Sequence, residues 1–242
     1  LSFDALVASV TSGAVSHGVM ALENSIAGSI IPNYALIDKN DLYIVAEAYI
    51  RIEHQLMALP STKIEYLTEV ASHPMALLQC KDFFATQPHI KLIEDADTAE
   101  VAQRIAEKHI SGLGAIASKT AAQLYGLDIV ARNIHSIANN ATRFVVVKTA
   151  VNTSEDIDKA SIKFVLDHKR GSLAAVLNVL GDCKLNLTKI QSMPVVETPW
   201  KYSFFVDVTF DEVAFYTKAV QLLEIMTESL KVLGTYKNQL HA

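Results

Sequence analysis

The sequence is poor in the residues that build covalent or metal frameworks. It has two cysteines, Cys80 and Cys183, about a hundred positions apart. That excludes a disulfide scaffold or a cysteine-rich zinc site and points to buried thiols in a reducing compartment. The eight histidines form no HExxH pair on a helix, so no resident metal is expected. Neither GxGxxG nor GxxxxGK[ST] occurs, which argues against a nucleotide cofactor, and there is no GxSxG elbow. No apolar run approaches the roughly 20 residues of a membrane span, and no basic-then-apolar signal peptide is seen. Positive charge is not in excess: the net charge is −5, which leaves no electrostatic footprint for nucleic acid. A globular protein of the cytoplasm remains, with no cofactor and neither a nucleic-acid nor a membrane partner. At 242 residues and 50% hydrophobic composition, one large or two smaller domains fit, at roughly 100–200 residues each.

What is there alternates. Residues 2–12 predict a helix, with Ser2 as N-cap and Phe3, Leu6, Val7 and Val10 at helical spacing. The chain opens on Leu1 in what reads as mid-domain, so an N-terminal segment is expected to be missing ahead of it. "HGVMAL" predicts a strand that ends at Glu23-Asn24-Ser25, and 42–59 reads as strands. Then come repeating units: a helix from Pro74, strand "IKLIED", helix "DTAEVAQRIAEKH", strand "LGAIAS", a helix stopped by Gly126, and strand "LDIVARNI". This order predicts a mainly parallel, helix-covered sheet with ligands at the strand ends. The polar stretch 149–160 breaks the rhythm and reads as a linker. Beyond it, residues 161–242 predict a ferredoxin-like βαββαβ domain. The expectation is thus an α/β domain over 1–148, a linker, and a second, smaller domain.

Three polar clusters sit where ligands would: Glu23-Asn24-Ser25, Ser72-His73-Pro74 and Ser118-Lys119-Thr120. Each also reads as a helix cap. The segment "NNATRFVVV" puts Thr142 and Arg143 at the mouth of a valine-rich strand. The guanidinium fork suits a carboxylate, and Asn24, Ser25, Ser72 and Gln79 could complete a polar pocket around it. Equally, Arg143 could make a structural ion pair and Thr142 be an ordinary β-branched strand residue.

These segments carry a resemblance. "GVMALENSIAGSI", "SHPMALLQC", the stretch ending "NNATRF", and "RGSLAAVLNVLGDCKLNLTKIQSMP…PWKYSFFVD" together resemble bacterial prephenate dehydratases with a C-terminal regulatory ACT domain. The resemblance runs over essentially the whole chain. It implies a two-lobed, periplasmic-binding-protein-like catalytic domain with its site in the cleft, followed by the ACT domain. It implies decarboxylative dehydration of prephenate to phenylpyruvate in phenylalanine biosynthesis, without cofactor or metal. The implied catalytic residues are Thr142, with Glu23 as the second candidate acid. Asn24, Ser25, Ser72, Gln79, Arg143 and Phe144 are the implied substrate ligands. L-Phenylalanine is the implied effector, held between paired ACT domains by Gly171, Ser172 and Leu173 together with Asn186, Leu187, Thr188, Gln191 and Ser192. Self-association through these domains, as a homodimer or dimer of dimers, follows from the same resemblance.

The sequence departs from the family pattern in three places. The usual glycine-containing N-terminal segment has no counterpart, and Met75 follows Ser72-His73-Pro74 where the family has a polar residue. The Glu-Ser-Arg-Pro signature reads Gln191-Ser192-Met193-Pro194, losing both charges together. Arogenate, in which an amine replaces the keto group, is the alternative substrate. A non-catalytic carboxylate-binding protein is the alternative of a different class.

Overall fold

The computed structural model describes residues 2–152, 154–167, 169–195, 198 and 200–240. The chain begins with α1 (Phe3–Thr11), whose N-cap Ser2 accepts a hydrogen bond from the Ala5 N–H. There follow β1 (Gly18–Asn24), the short β2 (Gly28–Ser29), α2 (Ile31–Lys39) and β3 (Tyr43–Arg51). Next come β4 (Gln55–Ala58), β5 (Glu69–Ser72), α3 (Pro74–Gln79), α4 (Lys81–Ala85) and β6 (Lys91–Glu94). The helix α5 (Thr98–Lys108) is capped by Asp97, which accepts from the Ala99 and Glu100 N–H groups, and it buries Val101, Ala102 and Ile105. After β7 (Leu113–Ala117), α6 (Lys119–Tyr125) starts on the Ser118 cap and ends on Gly126 at φ 64°, a left-handed position that suits glycine. Then come β8 (Asp128–Ala131) and β9 (Ala141–Lys148). The last elements are β10 (Lys159–Val165), α7 (Ser172–Asp182), β11 (Asn186–Pro194), β12 (Tyr202–Thr209), α8 (Val213–Met226) and β13 (Ser229–Tyr236).

The chain forms two compact units. The second unit spans residues 51–141 and holds a five-stranded sheet in the order β6-β5-β7-β4-β8. Its pairs β5–β6 and β5–β7 are parallel, but β4–β7 and β4–β8 are antiparallel. The expected mainly parallel sheet is therefore a mixed one. The helical crossovers after β5 and β6 give parallel neighbours, whereas β4 enters directly from β3 with no crossover of its own in this sheet. Hydrophobic alternation reports which face is buried and carries no strand direction. The strand β5 lacks a clear signal, because "EVAS" is only four residues and begins on a charge.

The first unit comprises residues 1–50 and 142–242. It contains the sheet β2-β1-β9-β3 and the all-antiparallel sheet β11-β12-β10-β13. The second sheet, with α7 and α8, realises the expected βαββαβ order. Its first strand begins at Lys159 and so takes in the last two residues of the expected linker. Phe164, Val206 and Val208 pack beneath the two helices. The opposite face contributes Phe205, Leu233 and Tyr236 to a core shared with Val7, Met20, Leu22, Ile44, Val145 and Val147. The segment 161–242 thus does not stand apart from the N-terminal sheet; the two share one apolar core.

Gly234 marks where the layers touch. A Cβ added there would lie 2.0 Å from the Ile44 carbonyl oxygen, and backbone cannot swing aside as a side chain can. Gly234→Ala is expected to cost at least about 3 kcal/mol, because β13 must move off β3 to admit the methyl group. Chemical denaturation of the variant checks this; an unchanged midpoint would contradict the packing.

Candidate functional site

In the first unit, polar groups gather where β1 ends beside the start of β9. The ladder Gly18↔Val147 through Ala21↔Phe144 shifts register between Ala21 and Glu23, so that Glu23 faces Arg143 and Asn24 faces Thr142. Such a bulge re-aims the side chains that follow it. Asn24 Oδ1 accepts the Ile26 and Ala27 N–H groups at 3.0 and 2.9 Å, and Asn24 Nδ2 donates to Thr142 Oγ1 at 3.0 Å. The amide orientation is thereby fixed, and the Thr142 oxygen acts as an acceptor whose own proton can be given to another group. This polar cluster is an Asx turn closing a hairpin, where a helix cap was one expectation. Ser25 is exposed in that turn, and Phe144 is half-buried on β9.

Arg143 does something else. Successive strand residues point to opposite faces, and Arg143 falls on the buried face with Val145 and Val147. It is 3% exposed. Its Nε donates to Glu47 Oε2 at 2.7 Å, its Nη1 to Asp207, and its Nη2 to the Tyr236 hydroxyl at 2.7 Å. Lys159 Nζ meets both Glu47 carboxylate oxygens at 2.9 Å, and Ser161 Oγ donates to Asp207 and lies 2.6 Å from the Tyr236 oxygen. Burial and the neighbouring Arg143 charge pull the Lys159 ammonium below its usual pKa, against the pull of Glu47. Arg143 in turn stays firmly charged: burial works against it, but Tyr236, Asp207 and Glu47 more than compensate. The expected carboxylate anchor is therefore a structural ion pair, with its donors committed inside the core.

Two further expectations change. Ser72 is 0% exposed, and its hydroxyl donates to the Ile116 carbonyl at 2.8 Å, so it ties β5 to β7 and reaches no ligand. The cap of α3 is instead the His73 side chain, which accepts from Met75 N–H. Glu23 pairs with Lys189 of β11 at 2.5 Å, and Lys189 also donates to Ser29 Oγ at 2.8 Å. The Glu23 carboxylate is thus engaged by a lysine ammonium of β11.

In the second unit, Gln79 ends α3 and is half-buried. Its Oε1 accepts from His54 Nε2 at 2.7 Å and from Asn140 Nδ2 at 2.9 Å. Burial is the main cause of a lowered His54 pKa. Cys80, next in sequence, is fully buried, and burial pushes its thiol up to about 12, so it is no nucleophile at neutral pH. Cys183 is buried too, and both cysteines are free thiols.

The expected effector residues fall into two groups. Gly171, at φ 84°, and Ser172 and Leu173 open α7, with Ser172 and Leu173 lining a cavity of about 130 Å³. Asn186, Leu187 and Thr188 begin β11, after α7 has run its 11 residues. At about 1.5 Å per residue, the helix separates the two groups by roughly 16 Å within one chain. Gln191 donates to the Ser192 carbonyl at 2.9 Å. Among the described residues no group of three or more His, Cys, Asp or Glu could hold a metal ion, and no helix is long and apolar enough to cross a membrane.

The prephenate dehydratase family model matches residues 1–152. The chain belongs to the prephenate dehydratase family. It is 36% identical over 250 residues to the Arabidopsis thaliana "Arogenate dehydratase/prephenate dehydratase 2, chloroplastic", covering 97% of this chain and 64% of that protein. The chain spans less than two thirds of the length of this and other curated relatives it matches. Among solved structures, one named "GqqA- a novel type of quorum quenching acylases" superposes with a TM-score of 0.87 at 27% identity, over 99% of this chain and 87% of that one. A prephenate dehydratase from Arthrobacter aurescens in complex with L-Phe shares the fold, with a TM-score of 0.86 at 23% identity over 97% of this chain and 79% of that one.

Sequence reasoning missed Glu47, Lys159 and Asp207 as partners of Arg143. The signal was present for two of them: Glu47 and Asp207 are each a lone charge inside an apolar strand run, and such charges are buried only when paired, whereas Lys159 falls in the polar stretch read as the linker. Arg143→Ala is expected to lower folding stability by about 3–5 kcal/mol, because Glu47 and Asp207 are left buried with Lys159 as the one remaining cation of the network. Urea unfolding checks it; a change below about 1 kcal/mol, the range of surface pairs, would contradict the network's role.

Proposed function

We infer that this chain catalyses the decarboxylative dehydration of prephenate to phenylpyruvate. Prephenate carries a ring carboxylate and a hydroxyl across the ring. Carbon dioxide leaves from one carbon, the electron pair passes through the ring, and hydroxide departs from the other with one proton, giving water and an aromatic product. The gain of aromaticity drives the reaction, so the enzyme need only position the substrate and protonate the leaving hydroxyl.

The observation that carries this reading is the hydrogen bond from Asn24 to Thr142. It takes up one lone pair of the Thr142 oxygen and leaves the hydroxyl proton to be donated elsewhere. Such a hydroxyl suits hydrogen bonding to a departing hydroxide. Its own acidity is far from the match that efficient proton transfer prefers, so Thr142 relays or orients a proton. The amide of Gln79 supports a second role, as donor to a substrate carboxylate. Acyl transfer, the activity in the name of the acylase structure, needs a nucleophile beside a base. The group hydrogen-bonded to Thr142 is a carboxamide, which does not serve as one.

Thr142→Ala is expected to lower kcat by roughly 100-fold or more, and Thr142→Ser to keep most of it. Steady-state assays with prephenate and arogenate side by side check both variants and rank the substrates. Near-normal turnover by Thr142→Ala would sink the assignment.

We read residues 161–242 as an ACT domain that binds L-phenylalanine. The separation of Gly171-Ser172-Leu173 from Asn186-Leu187-Thr188 by the length of α7 favours a site made from two copies of the chain, one group from each. Calorimetry is expected to show saturable heat with L-phenylalanine. No heat at millimolar ligand overturns this reading.

A further inference from the structure

His54 is 6% exposed, and no step of the reaction described above uses it. It lies just before β4, where the chain is stitched on both sides. The Ile134 N–H donates to the His54 carbonyl at 3.0 Å, and the His54 N–H donates to His135 Nδ1 at 3.3 Å. The His135 ring packs edge-on at 6.3 Å between centroids. The Ile52 N–H donates to the Asn140 carbonyl at 2.9 Å, and the Ser136 N–H to the Gln79 carbonyl at 2.8 Å. These contacts bring His54, Gln79 and Asn140 together from three stretches of chain.

The hydrogen bonds they make are directional. A carboxamide oxygen only accepts, so the His54 nitrogen that meets Gln79 Oε1 must carry a hydrogen. Asn140 Nδ2 donates to the same oxygen. In this orientation Oε1 takes both donors, and the NH₂ of Gln79 faces away from them. Gln79 Nε2 makes no hydrogen bond among the described residues, so both its N–H bonds are left for a group that approaches it. An isolated glutamine has three rotatable bonds; this one is held at its far end.

We propose that His54 is a positioning residue: together with Asn140 it grips Gln79 Oε1 and so presents Gln79 Nε2 as a fixed donor to a carboxylate of the substrate. The proposal rests on the reading of Gln79 as a prephenate ligand. His54 itself touches no substrate and exchanges no proton with it. Asn140 supplies the second donor and ties the grip to the chain segment that leads into β9.

A double-variant cycle on the full chain tests this, with prephenate as the probe. Gln79→Ala is expected to raise KM by roughly 10- to 100-fold, the worth of a hydrogen bond to a charged group. His54→Ala is expected to raise KM about 5-fold with little change in kcat, the worth of an ordinary hydrogen bond. The double variant is expected to match Gln79→Ala alone, since a residue acting through Gln79 has no effect once Gln79 is gone. His54→Gln, which can set an amide nitrogen near the place of Nε2, is expected to restore KM; the shorter His54→Asn is not. This Gln and Asn pair carries the test if His54→Ala fails to fold. Multiplying effects in the double variant, or a loss confined to kcat, overturn the proposal and make His54 a direct participant. An unchanged KM in Gln79→Ala instead removes the reading beneath it.

Discussion

The structure of the first unit hangs on one buried ion network. Arg143 and Lys159 bring two positive charges into the core, and Glu47 and Asp207 bring two negative ones. Bare charges there would be prohibitive, and even paired ones lose their hydration. The cost is offset because the network closes: each Arg143 nitrogen has a partner, and Tyr236 and Ser161 fill positions that water would otherwise take. The four charges come from β3, β9, β10 and β12. An apolar contact between two sheets can slide by a residue at small expense, but a guanidinium with three assigned acceptors cannot. Close packing at Gly234 adds a steric stop to the same junction.

That constraint reaches the chemistry by one peptide bond. Thr142 is the residue before Arg143, and the pleat turns it to the opposite face. Holding the arginine in the core therefore holds the threonine hydroxyl outside it. From the other side Asn24 fixes the same hydroxyl, and the bulge in β1 puts Asn24 opposite it. In the motif Thr-Arg-Phe, the buried arginine thus supports the threonine to which we assign the chemistry.

Much of this was legible in the sequence. The caps of α1, α5 and α6, the stop at Gly126 and the βαββαβ order all follow from local patterns that tertiary contacts reinforce. Strand direction in the five-stranded sheet was not legible, because alternation is the same whichever way a strand runs. The reading of Arg143 as a ligand failed against a rule that was available: two neighbouring residues on a strand do not share a face. Ser72 misled for another reason. Its place after a strand and before a proline-started helix is where ligands and caps both occur, but its side chain points into the sheet. Glu23 was read from its neighbours in sequence, while its partner Lys189 lies far along the chain in the second sheet of the same unit.

The two polar centres are built on one principle. In each, a carboxamide has its oxygen taken by two donors, which leaves the NH₂ end aimed by default. At Asn24 the donors are the N–H groups of Ile26 and Ala27, and the nitrogen serves Thr142. At Gln79 the donors are His54 and Asn140. Neutral donors of this kind give less attraction to an anion than a lysine or arginine would. They need no reorganisation when charge shifts during a reaction, and preorganised dipoles contribute most where charge moves. A reaction that expels carbon dioxide and hydroxide from one dianion moves charge across a ring, and a cation fixed on the first carboxylate would oppose its departure. Keeping Arg143 in the core is therefore compatible with the proposed chemistry as well as with the fold.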